Sequence, residues 1–109
     1  MTRWAHWRSA QPNKTVDIAQ RLRALSAEIA TLQTDIGILE EQIAFQTEVA
    51  DDARIRALVS ETPLADREAQ EASGDLARLV RTRADALKKL EQLRSDQDGL
   101  LERMLDERR

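Results

Sequence analysis

The chain has no cysteine and no tyrosine, one histidine, two prolines, three glycines, two tryptophans and one phenylalanine in 109 residues. Without cysteine there is no disulfide framework, thiolate metal site or cysteine nucleophile. His6 has no second His or Cys with which to complete a metal site, so no metal and no cofactor is expected. No apolar run approaches the roughly 18 residues of a membrane-spanning helix, and the opening MTRWAHWRSAQPNK lacks the apolar stretch of a secretory signal. A cytoplasmic chain is the resulting expectation. Catalytic signatures are missing as well. No phosphate-cradling glycine loop and no Glu-x-x-His pair occurs, and the adjacent carboxylates Glu40–Glu41 and Asp51–Asp52 point to different sides of a helix. A non-enzymatic role follows.

What the chain does have is charge: 34% of its residues are charged against 41% hydrophobic, a composition that suits exposed helices. The net charge of -3 argues against non-specific nucleic-acid binding by the body of the chain. Arg78, Arg81, Lys88 and Lys89 do form a basic stripe. Asp75 and Asp85 interrupt it, and a solvated face is the better reading.

The apolar positions carry the fold. Ile18, Leu22, Leu25, Ile29, Leu32, Ile36, Leu39 and Ile43 alternate in steps of four and three, the seam of a coiled coil, and the rhythm continues through Gln46, Ala50, Ala53 and Ala57. It resumes at Ala65, Ala69, Ala72, Leu76 and Leu79 and runs through Arg83, Ala86, Leu90, Leu93, Gln97 and Leu100 to Met104. Folding the chain between the two halves pairs Ala53 with Ala69, Ala50 with Ala72 and Ile29 with Leu93 in one register. Small residues then meet small ones near the turn. Thr62 can cap the second helix and Pro63 suits its first position, whereas a proline inside one continuous helix costs about 3 kcal/mol. Arg54 with Asp66, Arg56 with Glu68 and Asp35 with Lys89 agree with this register; Glu28 with Asp96 and Arg21 with Arg103 do not. Arg83, Gln46 and Gln97 are expected to weaken the seam, and the second helix is expected to continue through Gly74.

The expectation is therefore an all-α fold: a long antiparallel helical hairpin, a two-helix coiled coil, over residues 15–109 with its turn near 60–63. A basic, tryptophan-containing tail, residues 1–14, precedes it. One flank carries Val80, Ala84, Leu87, Leu101 and Leu105 beside Ala30, Gly37 and Ala44, and is expected to build a four-helix bundle by homodimerisation. Ile38, Phe45 and Val49 form a shorter stripe opposite, suited to bundle packing or to a partner. Trp4 and Trp7 in the tail seek an apolar surface, either the chain's own bundle or a partner groove, with a membrane surface as the minor reading.

Two regulatory patterns bear on function. The acid-rich region of Asp51, Asp52, Glu61 and Asp66 resembles in composition the acidic hairpin tips of transcript-cleavage factors, although helix-start acids explain Glu61 and Asp66 equally well. Glu91, Ser95 and Asp106 share the spacing by which helical anti-sigma factors bind cyclic di-GMP. Asp98 and Glu102 stand where that pattern has Arg and Gln, so its ligand-reading groups are missing and no family is assigned. The leading reading is an adaptor that acts through its hairpin and tail on an unidentified protein. The alternatives are a transcription regulator that binds a sigma factor or RNA polymerase, and a peripheral membrane adaptor.

Overall fold

A computed structural model describes residues 14–108, with side chains from Asp17 onward. Two helices account for nearly all of it: α1, Lys14–Ser60, and α2, Pro63–Glu107. The expected all-α, two-helix hairpin is the observed fold. Both helices run unbroken for 47 and 45 residues, α2 passing through Gly74 without interruption.

The turn is built by local chemistry. Glu61 adopts a left-handed backbone (φ 53°), and its N–H donates to the Ala57 carbonyl at 3.1 Å, the single bond that closes an αL cap on α1. Thr62 then caps α2: its hydroxyl accepts the Ala65 N–H at 3.2 Å, while its carbonyl accepts the Asp66 N–H at 3.1 Å. Pro63 occupies the first helical position, where no N–H is needed, and Asp66 lies in the positively polarised first turn.

Packing divides the chain into two compact units, one of Thr31–Leu90, which contains the turn, and one that joins the stretch up to Ala30 with the stretch from Glu91 onward. In the turn unit Ala50, Ala53 and Ala72 are buried together, with Val49, Ala69 and Leu76 packed against them. This is the expected alanine layer, and the bonds of Gln46 to Ala72 and, farther from the turn along both helices, of Arg83 to Glu40 fix the antiparallel direction. In the end unit Ile18, Ile29, Leu93 and Leu100 are buried. Every seam position read from the sequence is buried or half-buried, whereas the described residues off the seam are exposed apart from Ala19, Val49 and Gly74.

Each polar seam residue has a hydrogen-bond partner on the opposite helix. Gln46 donates its side-chain amide to the Ala72 carbonyl at 3.1 Å, and Gln97 donates to the Ser26 hydroxyl at 3.1 Å. Arg83 reaches across to Glu40 at 3.3 Å. These bonds offset part of the cost of placing polar groups in the seam. Among the described residues no buried side-chain nitrogen or oxygen lacks a partner. Arg54 also departs from expectation, binding Asp51 in its own helix instead of Asp66 beyond the turn. A carboxylate three residues away on the same helix is held in reach by the backbone; one across the turn is not.

Candidate interaction surfaces

A two-helix seam buries one stripe of each helix and leaves the rest to solvent, so the side chains of interest are large apolar groups outside the stripe. The turn unit has three such places. The most exposed surrounds the turn itself: Leu58 is 73% exposed, Val59 80%, Leu64 63% and Ile55 58%. Ile55, Leu58 and Val59 stand three and four residues apart on the end of α1, which puts them on one face, and Leu64 lies in the first turn of α2. They are more exposed than Val80 (48%) and Leu87 (37%), the expected association residues of the α2 flank. Ala84 lies exposed between those two, with Gly37 and Ala44 exposed on α1. A β-carbon at Gly37 would meet nothing within 4 Å.

On the remaining flank of the turn unit, Ile38, Gln42 and Phe45 border a shallow apolar groove with Leu79 at its edge. Phe45 is 68% exposed there. Val49, read from the sequence as part of the same stripe, is half-buried against the alanine layer and serves the seam as well.

In the end unit Leu101 and Leu105 are exposed on α2, and Ala30 on α1. An open groove of this unit is charged. It is bordered by Arg21 and Glu28 from α1 and by Asp96 and Arg103 from α2, with Ala24 and Gly99 between them. Trp4 and Trp7 lie outside the described residues.

The turn patch is what sequence reasoning missed. Its signal was present: Ile55, Leu58, Val59 and Leu64 are four large aliphatics off the seam within ten residues of chain, where a solvated helix end would carry polar groups. Electrostatically the turn unit is mixed, since Arg54 is paired with Asp51 and Arg78 with Asp75, each within one helix. The second of these pairs neutralises part of the basic stripe on α2. Among the described residues no three His, Cys, Asp or Glu side chains gather as a metal site, and no helix is long and apolar enough to cross a membrane. No protein-family model matches the chain, and comparison with curated proteins and with solved structures returns no match.

Proposed function

We propose that this chain is a non-enzymatic interaction scaffold, an adaptor whose helical hairpin presents apolar side chains of its turn unit to another protein. One observation carries the reading: the seam of this unit is filled from within by Ala50, Ala53, Ala72 and their neighbours, yet Leu58, Val59, Leu64 and Phe45 remain mostly exposed. Exposed aliphatics that the chain's own core does not require cost solubility and are retained where a partner covers them. The Val80, Ala84 and Leu87 flank offers a flatter surface on the same unit.

The test compares the full chain with two variants, Leu58→Glu with Val59→Glu, and Phe45→Ala, as baits for one protein identified by mass spectrometry and then purified. Because these side chains lie outside the seam, both variants are expected to melt as the parent does. Binding of the purified partner is expected to fall at least tenfold for one of them, a loss of about 1.4 kcal/mol. Equal binding by parent and both variants would refute the turn unit as the contact surface.

A further inference from the structure

The flank of the turn unit that carries Val80, Ala84 and Leu87 has the pattern of a second seam. These residues stand four and three apart on α2, and Gly37, Glu40 and Ala44 stand three and four apart on α1, the spacing of a coiled-coil contact on each helix. All six are exposed. The bond from Arg83 to Glu40 sets their heights: three residues back from Glu40, Gly37 is level with Ala86, beside Leu87, and four residues on, Ala44 is level with Leu79, beside Val80. Large side chains on α2 therefore stand where α1 has small ones. A β-carbon at Gly37 would meet nothing within 4 Å. Between these levels lies the Glu40–Arg83 pair itself, with 52% of the Glu40 side chain and 41% of the Arg83 side chain exposed.

We propose that this flank binds a second copy of the chain about a twofold axis parallel to the helices, making a four-helix bundle of the turn unit. Such an axis preserves height and exchanges the helices, so α1 of one copy packs on α2 of the other. Leu87 then enters the space beside Gly37 of the second copy, Val80 that beside its Ala44, and Glu40 meets Arg83 of the second copy, each contact occurring twice. Neighbouring helices run antiparallel throughout, as in an up-down bundle. A twofold axis across the helices does the opposite. It sets each helix against its own copy, large against large and small against small, and centred on the ion pair it brings Glu40 to Glu40 and Arg83 to Arg83, which like-charge repulsion penalises. The four charges of the favoured arrangement alternate in sign, and a carboxylate has acceptor capacity for both arginines. The flank complements itself in size, height and charge, which assigns it to a second copy. The turn patch lies outside this contact and Phe45 on the opposite flank, so both stay open to the partner.

The absence of native cysteine makes the axis directly testable. Gly37 and Ala84 face each other across the proposed contact, within about two residues, or roughly 3 Å, of the same height. When full chains carrying Gly37→Cys and Ala84→Cys are mixed and mildly oxidised, a disulfide-linked dimer with one of each is expected, since bridged Cα atoms lie about 4.4–6.8 Å apart. A mixture that gives no such dimer overturns the proposal, and a disulfide dimer from Ala84→Cys alone in its place would establish the axis across the helices. Sedimentation equilibrium supplies an independent measurement on chains without cysteine. The unmodified chain is expected to be a dimer, and Leu87→Glu, Glu40→Arg and Arg83→Glu are each expected to weaken it by roughly tenfold or more. An equimolar mixture of the Glu40→Arg and Arg83→Glu chains should regain the dimer. Both chains of that mixture still carry like charges within their own seam, so recovery reports contact between copies and not repair of the fold. An unmodified chain that sediments as a monomer throughout, or a mixture that stays monomeric, refutes the proposal. None of these variants touches Leu58, Val59 or Phe45, so loss of dimer and loss of partner binding are read separately.

Discussion

Replacing Ala53 with leucine sets two opposing magnitudes against each other, and the sign of the result reports how closely the helices approach. Ala53 is 3% exposed and sits with Ala50 and Ala72 in the buried layer of the turn unit. Leucine adds three carbons. If the layer had room, burying them would contribute about 0.8 kcal/mol each, so the variant would gain roughly 2.4 kcal/mol. Ala50 and Ala72 in the same layer, however, are methyl groups attached directly to helix backbone, with no rotamer into which to retreat, and Val49, Ala69 and Leu76 already pack against the layer. The helices must separate or the leucine must leave its rotamer, and overpacking of this kind costs a net of about 1–3 kcal/mol. Destabilisation is the expected outcome. Urea unfolding followed by helical circular dichroism measures it, and the thermal midpoint should fall by about 4–8 °C for each kcal/mol in a domain of this size. Ala77→Leu, at an exposed position of α2, serves as the control and is expected to stay within about 0.5 kcal/mol of the parent. A raised midpoint for Ala53→Leu would show that the layer is loose and that the register argument built on it fails.

Other expectations follow from individual contacts. Ala53→Cys with Ala69→Cys should form an intramolecular disulfide on mild oxidation; an exclusively intermolecular crosslink would contradict the hairpin. At the turn, Glu61→Gly is expected to stabilise by about 1 kcal/mol, because glycine occupies the left-handed backbone without steric cost. Thr62→Ala removes the cap on α2 and should destabilise by a similar amount; midpoints that move the opposite way would contradict the observed turn. For the exposed Glu40–Arg83 pair, a double-mutant cycle should give a coupling below about 1 kcal/mol that shrinks with salt, and a larger, salt-independent value would mean the pair is effectively buried.

The seam was legible in the sequence position by position, from Ile18 to Met104, because burial in a two-helix contact repeats with the spacing of the apolar residues themselves. Thr62 and Pro63 were legible for a related reason: a cap is read from neighbours within one turn. Partner choice among polar side chains was not. Gln46, Gln97 and Arg83 look like defects in a list of seam residues, but each has a bond to the opposite helix that depends on side-chain reach and on which carbonyl or carboxylate lies at hand. Arg54 illustrates the same limit, with two carboxylates in principle available and local geometry deciding for Asp51. The turn patch escaped because periodicity directs attention to residues that repeat, and Leu58, Val59 and Leu64 matter through their place beside a chain reversal. Of the expected association residues, Val80, Ala84, Leu87, Leu101, Ile38 and Phe45 are exposed, while Val49 is half-buried. The charged groove was visible only as a conflict of signs between residues 21, 28, 96 and 103.

The short turn also orders the folding reaction. The cross-helix bonds join residues separated by 26 positions (Gln46–Ala72), 43 (Glu40–Arg83) and 71 (Ser26–Gln97), so each lies farther from the turn than the last. Closing the longest of these loops from the unfolded chain costs about 0.9 kcal/mol more than closing the shortest, and that difference vanishes once the inner contacts have formed. The chain is therefore expected to zip outward from Glu61 and Thr62, with the end unit joining late. In stopped-flow experiments Thr62→Ala should slow refolding, whereas Ser26→Ala should chiefly speed unfolding. The reverse partition would mean that the ends meet first, and that the turn is a by-product of their pairing.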